Sequence, residues 1–455
     1  MRALIGFGSA PVTLLWGLCV VVIVAWVGRQ LVRRRLVTLL SNAIIFGLFI
    51  PVVLQYPFTF SAINGLTLGA DNYLHYQSQV DAAFLITLAG WVALLLGYAA
   101  CGRRHSGFLP LTLVESGLRV WTQSSFLQLS SIFIMVLFGF LFWLGMLGPE
   151  GARDIALGLP GLRPIYNLAH VLLPLIIAVA LFVGIQRRRR LLLALATVNV
   201  ALATLSGARA VAFGGLLLVA MVYLIHSSLL QRLSPRRALM LIPVAFGFLL
   251  LAVYLADLRV GQYNLLRTFA TLGVKLFYGN NFSDLRDFAL VKSYWNGQFF
   301  LGRTELAGLM AFIPSAVSTY RLEWNWGVVT ANLVGLDPTS FPGFRTGTFG
   351  EIYFNFGLPG VLLAGSLNGY LLRLVHNTCL IAARSLPSYE ARLRIMAGLV
   401  ALNLVGALLN TAGFFTVYVT IAVLGGLQIL DYLVRATRVE VTGVGARYST
   451  DLPPT

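Results

Sequence analysis

Between Leu258 and Asn355 the chain mixes cations, carboxylates and flat aromatic rings more densely than anywhere else. The cations are Arg259, Arg267, Lys275, Arg286, Lys292, Arg303, Arg321 and Arg345, and the acids Asp284, Asp287, Glu305, Glu323, Asp337 and Glu351 lie among them. Tyr294, Trp295, Phe299, Phe300, Tyr320, Trp324, Trp326 and Tyr353 supply the rings. Such a set suits sugar phosphates. Rings stack on sugar faces, carboxylates hold hydroxyls or take their protons, and guanidinium groups neutralise phosphate. Trp and Tyr also gather where a membrane meets water for purely structural reasons.

Single positions narrow the candidates. Glu351, in Gly350-Glu351-Ile352-Tyr353, is the acid nearest to the following apolar run, and it suits a partner for Arg209 or Arg345 as well as it suits catalysis. Glu323 close to Arg321 and Asp287 beside Arg286 also fit ordinary surface ion pairs, which contribute little to stability. Arg209 stands apart from the segment. It lies in Ser206-Gly207-Ala208-Arg209, the tight link between two apolar runs, where a guanidinium costs roughly 2–3 kcal/mol unless it is paired or hydrated. It either snorkels to headgroups or clamps an anion through its bidentate fork.

Other chemistries lack material. Of the five histidines, His75 alone is expected outside the cell membrane, so a zinc site or a histidine triad is not expected. Cys19, Cys101 and Cys379 are placed where no two share an oxidising compartment, so no disulfide is predicted.

The elements that must position these residues are membrane helices. The chain is 58% hydrophobic and 11% charged, with mean hydropathy +0.83, against roughly 25% charged in a soluble domain. No alternating ten-residue pattern suggests a barrel. The run from Val12 to Val27 is followed, not preceded, by basic residues, which predicts a retained helix rather than a cleaved signal. Apolar runs predict eleven spans, at about 12–30, 38–55, 82–101, 126–147, 167–186, 191–207, 210–229, 238–256, 357–374, 394–411 and 413–434. One set of connectors holds 21 of the 33 basic residues against five acids, so the net charge of +17 divides as +16 and +1. The positive-inside rule then puts the N-terminus outside and the C-terminus in the cytoplasm. The basicity serves topology and anionic headgroups, not nucleic acid.

The expected fold is therefore all-α, a polytopic transmembrane helical bundle. It divides into spans 1–8 (residues 1–257), a large external loop (258–355), spans 9–11 (356–434) and a cytoplasmic tail (435–455). Within the loop, helices are predicted at Leu265–Phe277, at Asp284–Trp295 ended by Asn296-Gly297, and at Thr304–Phe312 stopped by Pro314. Residues 335–350, rich in Gly and Pro, are expected to run as a loop into the next span.

With these features the chain resembles the Wzy-type O-antigen polymerases, and its layout is similar to that of the enterobacterial common antigen polymerase. The resemblance rests on the outward N-terminus, the turn Gly207-Ala208-Arg209-Ala210, and one large late periplasmic loop. That loop carries Phe300-Leu301-Gly302, Phe312-Ile313-Pro314-Ser315 and Gly347-Thr348-Phe349-Gly350-Glu351-Ile352-Tyr353-Phe354-Asn355-Phe356-Gly357. In residues the match is concentrated at about 200–375. An Arg, ten residues, Gly spacing occurs at Arg286 and Gly297, although 45 glycines make about one such match expected by chance.

The resemblance implies a GT-C-like fold and transfer of a growing glycan from undecaprenyl pyrophosphate to a new lipid-linked repeat unit, at the periplasmic face of the bacterial inner membrane. The implied product is an O-antigen or exopolysaccharide. The pyrophosphate bond already holds the energy, so no cofactor is implied. The implied partners are undecaprenyl pyrophosphate-linked oligosaccharides, membrane lipids and a chain-length regulator protein. On this expectation the base is Glu351, Glu323 or Asp287, in that order. Arg209, Arg286, Arg321, Arg259, Arg303 and Arg345 contact pyrophosphate, and Tyr353, Trp324 and Trp295 stack on sugars.

Two alternatives remain at this stage. An O-antigen ligase shares the donor, but such ligases resemble one another in relying on a periplasmic-loop histidine, and Leu258 to Asn355 contains none. A flippase or transporter predicts repeated halves and charged residues in mid-membrane spans; no repeat is evident, and no expected span interior holds Asp or Glu.

Overall fold

The structure, a computed structural model, describes residues 5–32, 52–61, 75–102, 109–123, 125–147, 162–205, 209–226, 264–278, 283–313, 317–338, 343–385 and 388–448, with scattered positions between 243 and 254 and at 341. Every regular element among the described residues is helical. In chain order these are α1 (Ala10–Val32), α2 (Val80–Ala100), α3 (Leu109–Gln123), α4 (Phe126–Leu147), α5 (Leu162–Gln186), α6 (Arg190–Leu205), α7 (Arg209–His226), α8 (Leu265–Phe277), α9 (Asp284–Tyr294), α10 (Arg303–Leu309), α11 (Thr319–Glu323), α12 (Trp326–Val334), α13 (Gly347–Ser385), α14 (Ser388–Ala407) and α15 (Thr411–Tyr448). A 3₁₀ turn, Met310–Phe312, extends α10.

Six of them, α1, α2, α4, α5, α13 and α15, are long and apolar enough to cross a membrane. Their outward surfaces agree with this: Leu14, Val21, Leu96, Val136 and Leu363 are all more than 45% exposed, a distribution that water would penalise and lipid accepts. The expected spans at 191–207 and 210–229 fall on α6 and α7, which are 16 and 18 residues long. The span expected at 394–411 falls on α14, which begins earlier and so carries Glu390, Arg392 and Arg394 in its first turns. The spans expected at 38–55 and 238–256 lie mostly outside the described residues. The ninth expected span, 357–374, starts ten residues sooner than its apolar run, because α13 continues through a kink at Gly357. Glu351 is thereby inside a candidate span, where the sequence predicts no acid.

Inside 258–355 the predicted helices appear at nearly the predicted bounds, with α11 and α12 in addition. Local capping explains the boundaries. Asn264, Ser318 and Asn325 each accept a backbone N–H of the turn they start, at Arg267, Arg321 and Gly327. Gly335, at φ 78°, closes α12 in the left-handed conformation that glycine adopts without steric cost.

The chain forms two compact units. The first comprises Met1–Ser106, Tyr223–Thr378 and Leu402–Thr416. Its seam is α2 against α13, where small residues let two backbones touch. A Cβ at Gly97 would lie 1.9 Å from the Ser366 carbonyl oxygen, and one at Gly369 would lie 1.9 Å from that of Leu94. Helix α9 packs on α2, and Phe349 lies over Gly90. At the start of α2, Asp81 accepts from Tyr56 Oη (2.7 Å) and from the Ser9 amide (2.8 Å), which ties down the segment ahead of α1.

The second unit comprises Gly107–Val222, Cys379–Ala401 and Val417–Thr455. There α6 packs on α4 and α5, and Asn199 Nδ2 donates to the Ser131 carbonyl at 3.0 Å. Glu115 of α3 binds Arg119 (3.3 Å) and Arg394 (3.2 Å), and Arg119 also binds Glu390 at 2.7 Å.

Candidate functional site

The kink in α13 organises the site. An α-helix pairs each carbonyl with the N–H four residues on, and Pro359 has none to offer Asn355. Gly357, at φ 66° and ψ −163°, turns the backbone so that Phe354 also loses its helical partner. Two amides from far upstream replace them. Phe300 N donates to Phe354 O at 3.0 Å and Leu301 N to Asn355 O at 3.1 Å. The segment Phe300-Leu301-Gly302 thus docks along the broken turn, with Leu301 itself at φ 52°.

The Asn355 side chain completes the lock. Its Oδ1 accepts the Gly302 amide (3.0 Å), while Nδ2 donates to Thr304 Oγ1 (2.6 Å) and to Glu351 O (2.9 Å). The Thr304 hydroxyl, having accepted from Asn355, faces the Glu351 carboxylate with its own proton. Thr411 supplies two further donors to that carboxylate, Oγ1 at 2.6 Å and N at 3.2 Å. Glu351 is 2% exposed. Among the described residues it pairs with no cation, Arg345 included; neutral donors hold its oxygens.

Glu305 sits one residue beyond Thr304 on α10 and is part-exposed. Burial first, and then the nearby Glu351 charge, push its carboxyl up to about 8. The first turn of α10 also carries Arg303, whose guanidinium lies over the Trp324 ring at 4.7 Å, and the Arg303 carbonyl accepts from Tyr320 Oη at 3.2 Å. Tyr320 and Trp324 face one another at 6.3 Å, and Phe300 touches Trp324 at 6.1 Å. A second platform lies on the Tyr353 side of α13. There Lys292 Nζ is 5.9 Å from the Trp295 ring and 5.8 Å from the Tyr353 ring, next to the exposed Phe299. Burial lowers the Lys292 pKa from its ordinary value.

The remaining predicted residues fall elsewhere. Arg286 and Asp287 form an ion pair at 3.0 Å, and each is 6% exposed. Arg286 Nη1 also donates to the Tyr278 carbonyl, and Asp287 accepts from Ser283 Oγ at 2.7 Å and from the Arg345 backbone amide. The pair expected at the surface is thus a buried brace, and burial raises Asp287 above the usual carboxylate range. Asp284, absent from the predicted set, lies beside Gly347 and is pushed up to about 6 by burial and by the Asp287 charge, with Arg345 opposing. Arg345 and Glu323 are exposed. Arg321 is part-buried and its Nη1 donates to the Ile313 carbonyl. Arg259 lies outside the described residues. Arg209 opens α7 in the second unit, and its side chain lies outside the described residues. Among the described residues no group of three His, Cys, Asp or Glu is arranged to hold a metal.

Glu305 was visible among the interleaved acids but carried no distinguishing sequence signal. Lys292 likewise reads as one more surface cation: Trp295 is its i,i+3 neighbour, but Tyr353 reaches it only through the fold.

Searches against protein-family models, characterised proteins and solved structures each return no match to this chain.

Proposed function

We propose that this protein is a membrane glycosyltransferase of the lipid-linked oligosaccharide polymerase type. It moves a growing glycan from undecaprenyl pyrophosphate to the non-reducing end of a new lipid-linked repeat unit. One observation carries the proposal: the interlock at the α13 kink. Phe300-Leu301-Gly302 and the Gly347–Gly357 stretch, two of the segments on which the sequence resemblance rests, bind each other through Asn355 and its neighbour Phe354. Around that lock stand cation-on-ring platforms and carboxyl groups, in one compact unit with apolar spanning helices.

The arrangement supports the chemistry in three ways. Arg303 and Arg345 are exposed cations, suited to a departing pyrophosphate. Trp324 with Tyr320, and Trp295 with Tyr353, offer ring faces for sugars. Carboxyl groups beside the first platform supply a proton acceptor. Membrane burial of the lipid tails would hold donor and acceptor at one depth, so encounter becomes a two-dimensional problem and orientation does much of the work. Proposed with this activity are the eleven-span topology, the inner-membrane location and the periplasmic orientation.

The test is reconstitution of the full chain in liposomes with a defined lipid-linked repeat unit. The expected product is a ladder of lipid-linked glycans, lost in Asn355→Ala while the protein remains folded by circular dichroism. Transfer of the glycan only to a lipid A core acceptor would favour a ligase. Movement of the lipid across the bilayer without new glycosidic bonds would favour a flippase. Either result overturns the proposal.

A further inference from the structure

We propose that Glu305 is the catalytic residue that takes the proton of the acceptor hydroxyl, with Glu351 as the positioning residue behind it. The inference rests on the polymerase reading above and names an acid outside the three that the sequence suggests as bases.

A general base must come within hydrogen-bond reach of the proton it removes. Glu351 does not meet that condition. It is 2% exposed, and Thr411 Oγ1, Thr411 N and Thr304 occupy its oxygens. Asp287 is bound to Arg286, Ser283 and the Arg345 amide at the same depth. Glu305 does meet it, being part-exposed on the helix that presents Arg303 over Trp324. Its backbone is fixed from both sides. Ahead of it, Gly302 and Thr304 are bonded to Asn355; behind it, a Cβ at Gly308 would lie 2.6 Å from Thr411 Cβ. A short helix held this way keeps its one free carboxyl in a constant place, which is what a base aimed at a positioned hydroxyl requires.

The charges around Glu305 set when it works. Arg303 lies on its own helix; Tyr320, Arg321 and Glu323 lie on α11, which packs against it; Glu351 faces it from α13. Arg303 is engaged with Trp324 and Arg321 with the Ile313 carbonyl. Glu351 is the neighbour whose charge opposes ionisation of Glu305, and with burial it brings the group to about 8, close to working pH.

The step balances without a metal or nucleotide. The acceptor hydroxyl oxygen attacks the anomeric carbon of the donor sugar, and the bond from that carbon to the pyrophosphate oxygen breaks. The bonding pair leaves with the pyrophosphate, and the hydroxyl proton passes to the Glu305 carboxylate, which later releases it to water.

The experiment measures steady-state glycan extension by the full-length protein in liposomes between about pH 5.5 and 9.5. Wild-type kcat should rise with pH through a midpoint near 8. Glu305→Gln should lower kcat by roughly 100-fold or more with KM little changed. Glu351→Gln removes the opposing charge, so the midpoint should move to lower pH while extension continues. A structural role for either residue would not shift the midpoint. Infrared difference spectra of the same samples give a readout that needs no turnover, because a protonated carboxyl band should titrate near 8 in wild type and vanish in Glu305→Gln. Wild-type extension with normal kcat in Glu305→Gln, or an unmoved midpoint in a folded Glu351→Gln, overturns this inference alone. A wild-type protein that extends nothing overturns the reaction and the inference together.

Discussion

Two acidic residues show how depth decides what a carboxylate does. Asp287 holds Arg286 in a pair that water scarcely reaches. Removing one partner of such a pair strands a buried charge, so Asp287→Asn should cost about 3–5 kcal/mol in denaturant unfolding, whereas replacing both by apolar residues should cost less. Asp284 is different. Its carboxyl is raised to about 6, so the folded state holds its proton more firmly than the unfolded chain does. The stability tied to that proton is complete below the ordinary pKa near 4 and is lost as pH rises through about 6. Melting temperature should therefore fall between about pH 4 and 6.5 more steeply in wild type than in Asp284→Asn, measured in the same detergent. Equal slopes would remove Asp284 as a source of that pH dependence.

At the scale of elements, α13 carries the strain and the specificity. Gly357 occupies a backbone region that is essentially restricted to glycine, and a Cβ there would also lie 3.1 Å from Phe299 Cζ. Gly357→Ala should destabilise the protein by about 1–3 kcal/mol and should release Phe300 and Leu301 from their carbonyl partners. Hydrogen exchange reports this directly: protection at the amides of Phe300 and Leu301 should drop, while protection along α2 is retained. Unchanged protection would mean the kink does not hold that segment. The seam of α2 and α13 depends on the same economy of size, since Gly97 and Gly369 each leave room for a facing carbonyl. These glycines are spread through apolar runs, and sequence alone does not separate them from the many others.

For the whole molecule, charge asymmetry makes an orientation testable. Gln298 is exposed on the segment after α9, and Arg189 is exposed in the short turn between α5 and α6. On the proposed topology, which rests on the +16 and +1 division of charge, they lie on opposite sides of the membrane. A membrane-impermeant maleimide applied to spheroplasts should label Gln298→Cys and should reach Arg189→Cys only after lysis. The reverse pattern would invert the topology and remove the periplasmic setting.

Much of this protein was determined by its sequence. Long apolar runs with few charges can satisfy their backbone only as helices in lipid, so the all-helical, membrane-embedded character follows from composition. Local signals also placed α8, α9 and α10, because apolar residues at helical spacing, an Asn-Gly stop and a proline act over short stretches of chain. Proline and glycine predicted a loop over 335–350 leading into a span, but they did not say that the helix begins at Gly347 and continues through a kink at Gly357. Which acid is reachable was decided by tertiary structure alone. Glu351 loses its solvent to Thr411, sixty residues onward, and to Thr304, while Glu305 keeps part of its own. Burial is set by whichever distant residues the packing brings near. A carboxylate's neighbours in sequence therefore do not disclose whether it will brace the fold or face a substrate.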